Sequence, residues 1–200
     1  MSKRSLGSNG DNNNNKRPKK SSKINRDFWV ACQRGHIRKV TKMIDSGEVD
    51  INFKLNDATP IYIAAEKGHW NVVKKLIEVG ADINEGRWDI SPLYKVTEFK
   101  RIDLVKLLIE KGADLNKTNY NGTPIWLASR YESPEIFNIL LKAGADVNAT
   151  DTRGMTSLNM AIKSHDRWPN QFERLIKAGA DVNKPDYQQS TPLVIAVHYK

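Results

Sequence analysis

The motif Gly-Ala-Asp-x-Asn occurs four times in this chain, at Gly80–Asn84, Gly112–Asn116, Gly144–Asn148 and Gly179–Asn183, with a weaker copy from Gly47 to Asn52. Its closing asparagines, Asn52, Asn84, Asn116, Asn148 and Asn183, are 32, 32, 32 and 35 residues apart. A second marker keeps step with it: Thr59-Pro60-Ile61, Ser91-Pro92-Leu93, Thr123-Pro124-Ile125, Thr156-Ser157-Leu158 and Thr191-Pro192-Leu193 follow each asparagine after 7, 7, 7, 8 and 8 residues. Two markers in constant phase describe a chain of stacked units, each too small to bury its own apolar surface and therefore dependent on its neighbours.

Each marker has a mechanical reading. A Thr or Ser hydroxyl accepts one of the orphan N–H groups at a helix start, and proline in the next position is preset for the first turn and needs no donor there. Small and apolar residues follow, as in Ile61, Ile63, Ala64 and Ala65, so the first helix of each unit is short and lets its neighbour approach closely. A second, amphipathic helix is marked by Val72-Val73-x-x-Leu76-Ile77 and by Leu104-Val105-x-Leu107-Leu108-Ile109. The glycine that opens the next motif ends that helix, and the residues left between Asn84 and Ser91 suffice only for an extended turn. The first three loops are one residue shorter than the last two, which predicts tighter tips.

Helix, turn, helix and a protruding loop in about 33 residues, carrying Thr-Pro-Leu and Gly-Ala-Asp-x-Asn, resembles the ankyrin-repeat family from about Arg26 to Lys200. The fold class implied is an all-α repeat solenoid, an ankyrin array of helix-turn-helix units with hairpin-like loops. Units are expected at about 26–56, 57–88, 89–120, 121–153 and 154–188, with a partial unit at 189–200. The last of these holds one helix, which leaves a face that either further chain or a partner could cover. The sequence departs from the family where a histidine usually follows Thr-Pro-Leu: Tyr62, Tyr94, Trp126, Asn159 and Val194 stand there. In the third unit Lys95 replaces an apolar residue and Val96-Thr97 replaces the alanine pair, so this unit is expected to be the loosest.

The net charge of +9 is unevenly spread. Residues 1–26 hold eight Lys/Arg against Asp11 alone, or +7, and the remaining 24 basic and 22 acidic residues leave the body at +2. Residues 1–25, rich in Ser, Asn, Gly and Lys, lack the apolar content to fold and are expected to form a disordered basic tail. Within it Lys3-Arg4 and Lys16-Arg17-Pro18-Lys19-Lys20, separated by eleven residues, have the form of a bipartite nuclear-import signal that importin reads in extended conformation. The alternative is a solubilising tail. Nucleic acid is not the expected partner, since a few phosphate contacts supply only weak, salt-sensitive binding.

Several functions are disfavoured. No apolar run is long enough to span a bilayer, so no membrane association is expected. Cys32 is the single cysteine, which rules out an internal disulfide and fits a reducing compartment, nucleus or cytoplasm. His36, His69, His165 and His198 fall in different units, and no nucleophile or phosphate-loop motif is present. Catalysis, a metal and a cofactor are therefore not expected. Cys32, in the place of Ala65, reads as a buried small residue.

The resemblance implies protein binding through a concave groove lined by the loop tips and the exposed ends of the first helices. Carried onto this chain, it singles out Arg87, Trp88, Phe99, Tyr120, Arg130, Tyr131, Arg153 and Tyr187. Aromatic residues and arginine are the types enriched where binding energy concentrates, although Trp88 and Tyr120 could instead pack loop against loop. The expected function is a monomeric adaptor holding one protein partner. An ankyrin-type inhibitor of a kinase or transcription factor, or a targeting module of a longer protein, is the alternative. The family also implies possible asparaginyl hydroxylation at Asn84, Asn116, Asn148 and Asn183, each with a leucine eight residues upstream. Independently of that, these asparagines should tie the loops together.

Overall fold

The computed structural model describes residues 19–131, 133–163 and 171–199, and the described residues form eleven helices with only isolated β-bridges between them. In chain order these are α1 (Lys19–Gln33), α2 (Ile37–Asp45), α3 (Pro60–Glu66), α4 (Trp70–Glu78), α5 (Pro92–Glu98), α6 (Ile102–Glu110), α7 (Pro124–Arg130), α8 (Pro134–Lys142), α9 (Ser157–Lys163), α10 (Gln171–Lys177) and α11 (Pro192–His198). Odd-numbered helices form an inner row in which each packs on the next, from α1 through to α11. Even-numbered helices form an outer row, each packed on the inner helix of its own unit. This is the expected all-α repeat solenoid.

Local chemistry sets the helix starts. The hydroxyls of Thr59, Ser91, Thr123, Thr156 and Thr191 accept the backbone N–H three residues ahead, at Tyr62, Tyr94, Trp126, Asn159 and Val194. Proline or serine occupies the first helical position after each. The alanine positions close the inner row: Ala31, Ala64, Ala65 and Ala128 are fully or almost fully buried, so neighbouring backbones approach without a gap. The outer helices contribute the apolar stripe, with Val72, Val73, Leu76 and Ile77 buried in α4 and Ile136, Phe137 and Leu140 buried in α8.

The first helix begins at Lys19, inside the segment expected to be tail, and so is longer than its counterparts. A side chain within the helix tethers it to the following loop: Asn25 Oδ1 accepts the N–H of Asp50 at 2.8 Å. Trp29 adds a second link by donating its indole N–H to Ala58 O at 2.8 Å. Of the import-signal residues, Lys3, Arg4, Lys16, Arg17 and Pro18 lie outside the described residues, while Lys19 and Lys20 open α1.

The asparagines build a ladder along the loops. Asn52, Asn84, Asn116 and Asn148 each accept, through Oδ1, the N–H of the aspartate in the next motif (Asp82, Asp114, Asp146 and Asp181) at 2.7–2.8 Å. Each aspartate in turn accepts the N–H of the asparagine two residues on. One exchange thus sets both the loop shape and the spacing between units.

Candidate functional site

The loops end in turns of several kinds. In the first two, Leu55 bridges Ala58 and Arg87 bridges Ile90, and the central pairs Asn56-Asp57 and Trp88-Asp89 share the same φ angles, 51° and 60°. Positive φ at both central residues is the primed turn that matches a twisted two-stranded ribbon. Asn and Asp adopt it readily, whereas a tryptophan there is uncommon. Thr150 bridges Thr156 around the longer fourth loop, in which Asp151 Oδ1 accepts the N–H groups of Arg153 and Met155. The fifth loop repeats that pattern, with Asp186 receiving Gln188 and Ser190.

Trp88 is 62% exposed at its tip, with the Arg87 guanidinium carbon 3.8 Å from the ring centre. The next tip carries Tyr120, 56% exposed, and the end of α7 carries Tyr131, 50% exposed, with Arg130 packed over both Trp126 and Tyr131. Between them lie two tyrosines that the sequence marks only as departures from the family histidine. Burial pushes the Tyr62 hydroxyl well above its ordinary range, aided by Glu66, to which it donates a hydrogen bond at 3.1 Å, while Arg87 acts in the opposite direction. Burial likewise raises the Tyr94 hydroxyl, with Glu98, Tyr131 and Tyr120 adding to the rise and Arg130 opposing it. Trp88, Arg87, Tyr62, Glu98, Tyr94, Tyr120, Tyr131 and Arg130 therefore form one strip across three units. The charges of this strip are mixed, with Glu66 and Glu98 beside the tyrosines as well as Arg87 and Arg130.

The other candidates are Phe99, Arg153 and Tyr187. Phe99 is packed edge-on against Trp70 at 5.3 Å, and Arg101 covers the same Trp70 ring at 4.9 Å, so its ring is partly committed to the turn between helices. Arg153 is tied to its own loop by Nε and Nη2, which donate to Asp151 Oδ2 at 2.9 and 2.7 Å. Tyr187 is exposed, with its N–H bonded to Arg153 O and its ring beside Gly154. These two join the strip through Thr152, whose hydroxyl donates to Tyr120 O at 3.0 Å.

Further features are structural. Cys32 is buried and its thiol is pushed up to about 12 by burial, so the thiolate is not formed near neutrality. His69 Nε2 meets Gln33 O at 2.9 Å, and its ring covers Gly35, where an added Cβ would fall 2.4 Å from Nδ1. Glu85 bridges three successive loops, bonding Lys54 at 2.7 Å and Lys117 at 3.4 Å. The Lys54 hydrogen bond, with the charge of Lys117, holds the Glu85 carboxyl below its usual range. Among the described residues no helix is long and apolar enough to cross a membrane.

A family profile described as ankyrin repeats (three copies) matches residues 9–87, 85–151 and 126–200. Relatives are similar over shorter stretches. The palmitoyltransferase AKR1 of Naumovozyma castellii is 38% identical over 58 residues, covering 28% of this chain and 8% of that protein. The histone-lysine N-methyltransferase EHMT1 of Homo sapiens is 32% identical over 71 residues, or 34% of this chain and 5% of that protein. Ankyrin repeat domain-containing protein 29 of Danio rerio is 34% identical over 67 residues, or 33% and 22%. The chain thus spans less than a quarter of the length of each of these relatives. With profile, repeat phase and helix order in agreement, the chain belongs to the ankyrin-repeat family and is built as a protein–protein interaction module.

Proposed function

We propose that this protein is a non-enzymatic adaptor that grips one protein partner along the strip from Trp88 to Tyr131. The observation that carries the reading is the exposure of Trp88, Tyr120 and Tyr131 on consecutive units, beside arginines and two glutamates. Phe99 apart, the other large apolar side chains described in these units are buried or half-buried. Exposed aromatics grouped with arginine mark binding surfaces more often than accidents of packing. Tyr62 and Tyr94, whose hydroxyls stay protonated, supply a floor of hydrogen-bonding groups, and Glu66 and Glu98 set a requirement for donors or positive charge on the partner. Arg153 and Tyr187 extend the contact for a longer segment.

In the same reading the basic segment with Lys3, Arg4, Lys16 and Arg17 engages importin and carries the adaptor to the nucleus. Loss of nuclear accumulation when these four residues are changed to alanine supports that part, and unchanged distribution refutes it. The groove itself is tested by affinity capture with wild type and with a Trp88→Ala/Tyr120→Ala/Tyr131→Ala variant. All three side chains are exposed, so the variant should fold. A partner retained by wild type and lost by the variant supports the reading, whereas equal retention overturns it.

A further inference from the structure

The fourth and fifth loops are built on the same aspartate and differ in how it is completed. Asp151 is 4% exposed, and its Oδ1 accepts the N–H groups of Arg153 and Met155 at 2.8 and 2.9 Å. Its Oδ2 accepts Nε and Nη2 of Arg153 at 2.9 and 2.7 Å. Asp186, 7% exposed, repeats the first half of this arrangement: Oδ1 accepts the N–H groups of Gln188 and Ser190, both at 2.9 Å. The second half is missing. Gln188 is exposed where Arg153 would stand, and among the described residues nothing donates to Asp186 Oδ2. A nearly buried carboxylate left half-paired carries a desolvation cost that its paired counterpart does not.

Asp186 lines a pocket of about 340 Å³ between the two loops, with Thr152, Tyr187, Gln188 and, at the end of α9, Lys163. The pocket adjoins the aromatic strip, since Thr152 donates to Tyr120 O. The basic groups around Asp186 are engaged elsewhere. Arg153 is bound to Asp151, Lys184 donates to Asn148 O at 2.8 Å, and Lys163 Nζ lies 5.1 Å from the Tyr199 ring centre. His198 Nδ1 meets Val194 O at 2.9 Å.

We propose that this pocket receives an arginine side chain of the partner protein, placed toward Asp186 Oδ2 as Arg153 is placed toward Asp151 Oδ2. That the arginine comes from a protein rests on the adaptor reading. Asp186 Oδ1 already accepts two N–H groups, so a ligand must bring its donors to Oδ2 alone. A guanidinium does this with two N–H groups on one edge, as Arg153 shows, whereas an ammonium is a point charge. Tyr187, 73% exposed, supplies an aromatic ring for the guanidinium face, as Trp88 does for Arg87 at 3.8 Å. Lys163 is the like charge that the ligand meets.

The test is an NMR titration of the isotope-labelled full chain, following the Gln188 and Ser190 amides that bond Asp186. The probes are the capped peptide Ala-Ala-Arg-Ala-Ala, its citrulline and glutamate analogues, and free arginine. The arginine peptide should give saturable shifts with a Kd on the order of millimolar. Citrulline keeps the shape without the charge and should bind about tenfold more weakly or worse. Two variants remove the site by opposite means. Asp186→Asn takes away the charge and keeps the loop, because Asn119 Oδ1 already accepts the Asn121 N–H at the same place of the third loop. Gln188→Arg supplies the missing guanidinium from the chain itself. Each should lower affinity for the arginine peptide about tenfold, Lys163→Met should raise it about twofold, and Trp88→Ala should leave it unchanged. Equal binding of arginine and citrulline peptides, no saturable shift by about 10 mM, or unchanged affinity in either site variant overturns the proposal. Tighter binding of the glutamate peptide, which would make the pocket an anion site, overturns it too. So does free arginine binding more than about tenfold tighter than the peptide, which would assign the pocket to the amino acid. The titration needs no captured partner, so its failure leaves the adaptor reading standing, and failed capture by the strip leaves the arginine site standing.

Discussion

The guanidinium carbon of Arg87 sits 3.8 Å from the centre of the Trp88 ring, at the tip of a turn in which Trp88 itself has φ of 51°. The same turn one unit earlier uses Asn56 and Asp57 with identical angles. Trp88 therefore stands where asparagine is the natural solution, exposed and conformationally unfavourable, and the arginine contact offsets only part of that cost.

Replacing Trp88 by asparagine separates a binding role from a packing role. Relief of the left-handed conformation is worth roughly 1–2 kcal/mol, and loss of an exposed cation–π contact costs roughly 0.5–1 kcal/mol. Trp88→Asn should thus leave stability equal or raise it by about 0.5 kcal/mol in urea denaturation, while partner capture falls. Destabilisation by more than about 1 kcal/mol would make Trp88 a packing residue.

The backbone before that tip is equally constrained. A Cβ on Gly86 would lie 1.7 Å from the carbonyl oxygen of Ile90 and 2.8 Å from its carbon. These are backbone atoms of the turn, so no side-chain adjustment relieves the clash. Gly86→Ala should cost about 2 kcal/mol and speed amide exchange at Arg87 and Ile90, which bond each other across the turn. Wild-type exchange rates at those two amides would show that the turn accommodates the change.

Much of this was legible in the residues, for identifiable reasons. Thr59-Pro60, Ser91-Pro92 and Thr123-Pro124 act through local hydrogen bonds and preset dihedrals, so the helix starts follow directly. Trp88, Tyr120 and Tyr131 could be placed at tips and helix ends because the repeat phase fixes every position. The longer α1 could not be read this way. Its tie is the bond from Asp50 to Asn25, between residues that carry no local signal for one another. Tyr62 and Tyr94 were visible only as substitutions, because their place in the strip depends on residues of the next unit. Phe99 looked equivalent to Tyr131, and only the packing shows it leaning on Trp70.

The third unit contains a correctable defect. Thr97 is 2% exposed and its hydroxyl has no hydrogen-bond partner among the described residues, whereas Ser129, one unit on, donates to Ile125 O at 2.9 Å. Thr97→Val keeps the shape and removes the orphan hydroxyl, so it should stabilise the protein by about 1 kcal/mol. Hydrogen exchange should find α5 and α6 less protected than α7 and α8 in wild type. A destabilised valine variant would mean that the hydroxyl is satisfied in solution.

The buried tyrosines set an alkaline limit. Their folded-state hydroxyls titrate above the ordinary value of about 10, chiefly because of burial. As pH rises past that value the unfolded chain loses these protons first. The folded state then binds more protons than the unfolded one, and stability falls with increasing pH. Tyr94→Phe should flatten the loss between about pH 10 and 11 in denaturation series at fixed temperature. An unchanged slope would mean that Tyr94 titrates normally.

The most direct test of the adaptor account is site-specific photo-crosslinking in cells. Benzoylphenylalanine is placed at Tyr120 or Tyr131 on the strip and, for comparison, at Lys74 or Lys106, exposed on the outer helices. The account predicts one dominant protein adduct from both strip positions, abolished by Trp88→Ala, and none of that adduct from the outer positions. The same adduct from Lys74 or Lys106, with none from Tyr120 or Tyr131, would contradict it and place binding on the outer helical face.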